Sequence, residues 1–408
     1  MIESVFTFSM NPVSPIPVIL AFLLALATTH FLAKRFAVIL PVGRVSTIDG
    51  LRGYLGFAVF LHHASIWFFF LRTGHWAVPP SNLYTHLGQS GVALFFMITG
   101  FLFFSKLIDS KDRPVDWTKL YISRLFRLTP LYLFAMGTMF SIVAVLSDAQ
   151  LREPVESLAL GVARWLAFTA KGNPDLNGVA QTWIIVAGVT WTLPYEWGFY
   201  LMLPLFALMV SSRTLIGSLV IGITALLAFK WLLDLDLLFM KAFVGGMAAS
   251  VLVRYEKVRV IASAKISTML VVGCVAAVVM IYPTAYGSMP LLLLSIAFTL
   301  VAGGNTLFGL LTNHTSRVLG EMAYSIYLLH GIVLFLVFRF LFGFPEAAKL
   351  SPIEHWAVIA LCTPVLISIS FLTFRQIELP AMRIAPKAAN WVKSRRTSIT
   401  QTVFGWRG

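Results

Sequence analysis

The stretch IDGLRGYLGFAVFLHHA, which runs from Ile48 to Ala64, places polar side chains that could do chemistry inside an apolar segment. Arg52 and His63 lie eleven positions apart. At about 100° per residue they fall within about 20° of one helix face, with an axial offset of about 16 Å. His62 points roughly 80° away. We therefore expect Arg52 at the cytoplasmic surface of a membrane and His63 near the middle of the bilayer. Both side chains should project from the same face of the helix.

An ionisable side chain inside a membrane is a functional candidate by default. Desolvation disfavours a charged imidazolium, and a neutral imidazole can take a proton from a hydroxyl or carry an acyl group. The alternative is that Arg52 only orients the helix and that His63 forms a hydrogen bond to a neighbouring helix.

The composition indicates a polytopic membrane protein. The chain has 408 residues, of which 58% are hydrophobic and only 12% are charged, about half of the share in soluble domains. The net charge of +14 would suggest nucleic acid in a soluble protein. Here Lys and Arg lie mainly in short loops between apolar runs, so topology explains them and we expect no nucleic-acid partner. Cys274 and Cys362 lie in apolar runs and predict neither a disulfide nor a metal site.

The apolar runs predict an all-α integral membrane fold of about eleven transmembrane helices, each near the ~20 residues that cross a bilayer. The predicted spans are approximately 13–33, 51–71, 87–108, 129–147, 193–211, 214–233, 236–254, 261–283, 288–304, 316–342 and 355–377.

The distribution of basic residues predicts the orientation. With the N-terminus outside, 23 of the 31 Lys and Arg residues fall in inside segments, as the positive-inside rule requires. The C-terminus is then cytoplasmic. The longest outside segment, about 148–192, contains VESLALGVARWLAFTA, which could form an amphipathic or re-entrant helix. This segment is either functional or a plain cover over the helices.

Further motifs follow the Arg-x₁₀-His pattern of Arg52 and His63. They are GVALFFMITGFLFF, SRLFRLTPLY, WTLPYEWGFYLMLP, LGEMAYSIYLLH and IELPAMR. In this order they resemble the acyltransferase-three family, integral membrane enzymes that O-acylate cell-surface glycans and some secondary metabolites. The resemblance divides the chain into an extra N-terminal helix and basic loop (1–44), an acyltransferase membrane domain (45–385) and a basic cytoplasmic tail (386–408). Lys393, Arg395 and Arg396 of the tail form a lipid-facing basic run.

The sequence departs from the family pattern at three positions. Thr99 stands where Ser is usual and retains a hydroxyl. Ala93 stands where the family often has Asp, so no acidic role transfers to it. Thr192 replaces the commoner Ser after Trp191.

The resemblance implies acyl-CoA, and acetyl-CoA in particular, as a cytoplasmic co-substrate, with no tightly bound cofactor. Arg124 and Arg127 are expected in a cytoplasmic turn just before Pro130, where their i, i+3 spacing places both side chains on one face of a helical turn. Paired guanidinium groups can bind its phosphates. The alternative is positive-inside anchoring. Arg52 could serve the same ligand or orient the pantetheine arm.

Further polar residues are predicted to contribute to the site. Glu196 is expected near the outer face, where it could bind sugar hydroxyls or act on an acceptor proton. His330 either joins His63 or is a packing residue, and Glu378 is expected to pair with a basic residue at the inner surface. The aromatic neighbours of Glu196 either contact substrate or form an interface belt; they are Trp191, Tyr195 and Tyr200.

The sequence thus predicts a membrane O-acyltransferase of the bacterial inner membrane. It would move an acyl group from acyl-CoA to a hydroxyl of a cell-surface or lipid-linked glycan, such as lipopolysaccharide or exopolysaccharide. One alternative is a transporter or flippase of a glycan or small solute, although no paired repeats are visible. Another is an acyltransferase acting on a small secondary metabolite. No nucleotide, nucleophile-elbow or metal motif occurs in the sequence.

Overall fold

The computed structural model describes residues 11–40, 45–111, 113–212 and 214–404. Over these residues the chain is helical, and no β-strand is present among them. The α-helices are α1 (Ile16–Arg35), α2 (Ser46–Thr73), α3 (Asn82–Asp109), α4 (Trp117–Leu146), α5 (Val155–Leu166), α6 (Thr192–Ser211), α7 (Leu215–Leu233), α8 (Leu237–Leu252), α9 (Glu256–Ser263), α10 (Lys265–Ile281), α11 (Ser288–Ala302), α12 (His314–Glu321), α13 (Ala323–Leu336), α14 (Phe344–Ala347), α15 (Pro352–Thr373) and α16 (Leu379–Phe404).

The apolar helices make this a multi-pass membrane protein. Among the described residues, seven helices are long and apolar enough to cross a membrane, or eight if α8 and α9, which meet at 105°, form one broken span. Each predicted span contains a helix, but three of them hold only shorter apolar helices, which are Ile216–Ala228 within α7, α10 and α11. The count of eleven spans and the orientation of the termini therefore stay predictions.

Helix α4 begins earlier than the sequence predicts. The Asp116 side chain caps it by accepting the Lys119 backbone N–H at 3.0 Å, twelve residues before the predicted start. Arg124 and Arg127 therefore lie on one continuous helix instead of in a turn between helices, and both face one pocket, as their spacing predicts. That this end of α4 is cytoplasmic stays a prediction. Pro130 lies inside this helix, as neighbouring groups allow in transmembrane helices.

Helix α2 lies at the centre of the bundle against α12 and α13. The backbones touch at Gly320, where an added Cβ would lie 1.7 Å from the Asp49 carbonyl oxygen. At Gly53, an added Cβ would lie 2.7 Å from the Gly320 backbone nitrogen. Only glycine permits so close an approach. The two helices are consequently held at a fixed separation next to the site described below.

The segment between α4 and α6 enters the bundle. After α5 it forms two 3₁₀ turns, Thr182–Val186 and Val189–Trp191. Ile185 is 1% exposed and Val186 is fully buried. Gly331 of α13 makes room for them, since an added Cβ would lie 2.4 Å from the Val186 carbonyl carbon. The segment is therefore part of the core, and α6 begins within the bundle.

The C-terminal region continues the last span. A π-helical turn at Phe374–Glu378 joins α15 to α16, which packs along α4. Lys393 donates a hydrogen bond to Asp116, and this bond lowers the pKa of the Asp116 carboxyl. This lysine of the predicted basic run is thus paired with a carboxylate. The side chain of Arg396 lies outside the described residues.

We predict that Gly331→Ala destabilises the protein by about 1–3 kcal/mol, because the new methyl group collides with the backbone of the first 3₁₀ turn. Gly137→Ala is the matched control, since nothing lies within 4 Å of an added Cβ there. That change should be neutral or stabilising by up to about 1 kcal/mol. Unfolding of the purified proteins in detergent compares the two. Equal stabilities would contradict the described packing.

Candidate active site

Three arginines predicted to act on one ligand line a single pocket between α2, α3, α4, α6 and α13. We refer to this cavity of about 130 Å³ as the arginine pocket. Its polar lining consists of Arg52, Thr99, Arg124, Arg127, Thr192, Glu196, Tyr200, Tyr324 and Tyr327. The remaining lining is mostly aliphatic and phenylalanine side chains. A polar ligand with an apolar arm fits such a lining.

Arg124 is linked to Glu196 through Tyr200. The Tyr200 hydroxyl donates a hydrogen bond to the Glu196 carboxylate one helical turn away. The Arg124 guanidinium acts electrostatically on the same Tyr200 hydroxyl and lies 5.2 Å from the Phe103 ring centroid. The arrangement orients Arg124 into the pocket.

Arg127 is held by a buried carboxylate. Its Nη1 lies 3.3 Å from Glu378 Oε2 and 2.8 Å from the Met382 sulfur. Glu378 is fully buried and accepts a hydrogen bond from the Ser325 hydroxyl. The basic partner expected for Glu378 is thus Arg127. The pair joins α4 to the π-helical turn after α15, so Arg127 supports the pocket wall as well as lining it.

Glu196 and Arg52 line one pocket, so the two cannot lie at opposite membrane faces as predicted. The 3₁₀ turns carry the chain into the bundle, and α6 begins where Thr192 lies 3.0 Å from the Tyr327 hydroxyl. Glu196 follows one turn later and lines the same pocket as Arg52 and Arg124. Its carboxylate therefore faces the arginines instead of an acceptor at the opposite end.

His63 and His330 form a hydrogen-bonded pair, with His330 Nε2 lying 3.0 Å from His63 Nδ1. His330 Nδ1 lies 3.0 Å from the Ile326 carbonyl oxygen, which can only accept. When both rings are neutral, His330 carries its proton on Nδ1 and accepts at Nε2. His63 then donates from Nδ1, which also lies 3.0 Å from the Val59 carbonyl oxygen. This tautomer leaves an unprotonated lone pair on His63 Nε2.

Aromatic rings surround the half-buried His63. The Trp76 ring stacks on it with centroids 6.1 Å apart, and Trp183 packs edge-on against Trp76 at 5.7 Å. His62 points elsewhere, as predicted, and its Nδ1 lies 2.7 Å from the Tyr84 carbonyl oxygen. His63 thus faces aromatic surface on one side and His330 on the other.

Tyr327 lies between the arginine pocket and the histidine pair. Its ring lines the pocket and lies 6.1 Å from the His330 ring centroid. Its hydroxyl donates to the Val189 carbonyl oxygen at 3.0 Å. His63 is not among the residues that line the pocket. A ligand in the pocket therefore meets Tyr327 before it meets the histidines.

A family model described as an acyltransferase domain, that of the acyltransferase-3 family, matches residues 45–375. The chain belongs to this family. The match confirms the resemblance that the motifs indicated and makes the protein an acyltransferase. No curated protein and no solved structure shows significant similarity to the chain.

Two of the aromatic residues predicted to surround Glu196 in this acyltransferase lie outside the arginine pocket. Trp191 and Tyr195 line a neighbouring cavity together with Lys171 and Asp234. The Tyr195 hydroxyl accepts the Asp236 backbone N–H at 3.2 Å. Of the three aromatic neighbours predicted for Glu196, only Tyr200 thus lies in the pocket with it.

Tyr324, Tyr327 and Trp76 contribute to the site of this acyltransferase but are not among the site residues predicted from the sequence. The first two carried a signal, because in YSIYLLH they precede His330 at spacings of six and three residues. Such spacings place all three on one helix face. Trp76 lies in the loop between α2 and α3, where no periodicity relates it to His63.

We predict that Arg127→Gln lowers the free energy of unfolding by about 3–5 kcal/mol, because it leaves the buried Glu378 carboxylate without its cation. Adding Glu378→Gln should recover part of this loss. Arg254→Gln is the comparison, since Arg254 pairs with Asp109 at an exposed site and should cost at most about 1 kcal/mol. Denaturant unfolding in detergent gives these values. A loss for Arg127→Gln no larger than that for Arg254→Gln would argue against a buried ion pair.

Proposed function

We propose that this protein transfers an acyl group from cytoplasmic acyl-CoA to a hydroxyl of a glycan at the outer side of a bacterial inner membrane. The observation that carries the proposal is the order in which three features follow one another through the helix bundle. Three arginines line one pocket, Tyr327 closes it, and a hydrogen-bonded histidine pair lies beyond. Membership of an acyltransferase family supports this function over the transporter.

The donor binds at the arginine pocket. Arg52 and Arg124 supply guanidinium groups from two helices, and paired N–H donors match phosphate oxygens. In this proposal the phosphates of coenzyme A lie at the guanidinium groups, and the pantetheine arm with its thioester extends along the apolar lining. Acetyl-CoA is the donor that the family resemblance implies.

His63 carries the chemistry. Its Nε2 lone pair removes the proton of the acceptor hydroxyl while the oxygen attacks the thioester carbonyl. The tetrahedral intermediate then expels coenzyme A thiolate, which takes the proton from the His63 imidazolium. Ester and free thiol result, and the proton is conserved. In a second route the same lone pair attacks the thioester and coenzyme A leaves as thiolate. The acceptor hydroxyl then takes the acyl group from the acyl-imidazole, and its proton passes to the thiolate.

His330 positions His63 for either route. It accepts from His63 Nδ1 and so fixes the tautomer that keeps Nε2 free, as the orienting group does in other base-assisted acyl transfers. Tyr327 must turn aside for the thioester to reach His63. Its hydroxyl is bonded to the 3₁₀ segment at Val189, so donor binding and this segment are coupled.

The direct assay uses the full-length protein in sealed vesicles. Acetyl-CoA that carries a label on its acetyl group is supplied on the side of the membrane nearest the arginine pocket. The proposal expects label on an added envelope glycan and an equal amount of free thiol. If a small secondary metabolite is labelled and the glycan is not, the protein is an acyltransferase but the proposed glycan acceptor is wrong. Glycan movement without label or thiol release would overturn the transferase.

We predict that Arg52→Gln and Arg124→Gln each raise the Kd for coenzyme A roughly tenfold or more, because each removes a charge-assisted contact to phosphate. Lys119→Gln is the control, since Lys119 is an exposed cation at the same end of α4 and does not line the pocket. Titration calorimetry in nanodiscs measures the change. Unaltered binding by both arginine variants would place the donor elsewhere.

We predict that His330→Leu lowers the single-turnover transfer rate roughly tenfold or more without changing the Kd for coenzyme A, because His63 loses the acceptor that fixes its tautomer. His330→Gln should retain more activity, since its carbonyl oxygen can still accept from His63 Nδ1. His62→Gln serves as the neighbouring control and should transfer normally. If His330→Leu and His330→Gln had the same rate, the tautomer argument would be wrong.

A further inference from the structure

A second cationic pocket lies at the end of the bundle opposite Arg52. It is formed where α2, α4 and the π-helical turn that extends α13 meet the loop before the first 3₁₀ turn, and its volume is about 280 Å³. We refer to it as the distal pocket. Phe70 lies eighteen residues after Arg52 on α2, which places it about 27 Å further along the axis. The donor pocket and the distal pocket are therefore separate.

Two arginines line the distal pocket, and no acidic side chain does. Arg339 lies on the π-helical turn Val337–Leu341, and its guanidinium is 5.2 Å from the Phe344 ring centroid. It has no carboxylate partner among the described residues. π-helical turns are rare and frequently occur at functional sites.

Arg152 approaches from the opposite wall. Its backbone N–H donates to the Asn177 side-chain oxygen at 2.8 Å, and its guanidinium bonds Asp148 at 2.8 Å. Glu153 turns away, because its carboxylate accepts from the Asn177 backbone N–H and the Ser157 hydroxyl. The wall thus presents a guanidinium whose charge Asp148 partly offsets, and the Glu153 carboxylate is held by other partners.

Aromatic contacts connect the distal pocket to His63. Phe70, which lines the pocket, packs against Trp76 with ring centroids 5.3 Å apart, and Trp76 stacks on His63. Arg339 lies nine residues after His330, which is about 14 Å along a helix axis. A short oligosaccharide spans such a distance and can stack a sugar ring on an indole.

We propose that the distal pocket binds a carboxylate or phosphate group of the acceptor, which makes the acceptor an acidic oligosaccharide. This inference rests on the proposed function and extends it by naming the chemical class of the acceptor. The anion lies between Arg339 and Arg152, an intervening sugar contacts Trp76, and the hydroxyl to be acylated reaches His63.

The test is equilibrium binding to the full-length protein in nanodiscs of phosphatidylcholine, without any acyl-CoA. The probes are a short oligosaccharide of glucuronic acid and its carboxyl-reduced, neutral counterpart. The acidic probe should bind at least tenfold more tightly, and rising salt should reduce this difference. Arg339→Gln should weaken the acidic probe roughly tenfold or more without affecting the neutral one, and Arg339→Lys should retain part of the affinity.

Arg164→Gln is the matched control, because Arg164 is an exposed arginine of α5 on the same segment and does not line the pocket. It should bind the acidic probe normally. Equal binding of both probes, or acidic-probe binding that Arg339→Gln leaves unchanged, would overturn the inference. So would displacement of the acidic probe by phosphatidylglycerol in the nanodiscs, which would make a lipid headgroup the occupant. Coenzyme A binding is measured separately, so its failure would count against the proposed function alone.

Discussion

The close contact of α2 with α12 and α13 is the constraint on which the site depends. At Gly320 any side chain would meet the Asp49 carbonyl oxygen at 1.7 Å, so the two backbones are fixed against each other. His330 lies ten residues further along and reaches His63 across the same interface at 3.0 Å. Glycine packing of this kind drives helix association in membranes, where apolar burial between helices gives little. The position of the imidazole pair is therefore a consequence of backbone contact.

Helix α13 organises the rest of the site from its two faces. Tyr324 and Tyr327 line the arginine pocket, and His330 continues the same face. On another face, Ser325 donates a hydrogen bond to the buried Glu378, which in turn holds Arg127. One helix thus connects the buried ion pair to the histidine pair. Unpaired charge is costly in such surroundings. The ion pair that supports the pocket wall therefore also holds the helix that carries His330.

Helical periodicity predicts side-chain directions correctly where the chain is a regular helix. It placed Arg52 and His63 on related faces of α2 and directed His62 elsewhere, and the structure agrees. It failed for Glu196, because the preceding 3₁₀ turns have no hydrophobic period and depend on residues such as Gln181 and Ala187 with positive φ. The pairing of His330 with His63 requires contacts across 267 residues, which a single sequence leaves open.

The role of His63 is tested most directly by measuring donor binding and acyl transfer on the same preparation of His63→Ala. Because His63 lies beyond Tyr327 and outside the arginine pocket, the variant should bind coenzyme A with normal affinity. Transfer should fall by about 10²–10⁴-fold, the usual contribution of a general base. A variant that binds the donor and transfers the acyl group at the normal rate would contradict the account.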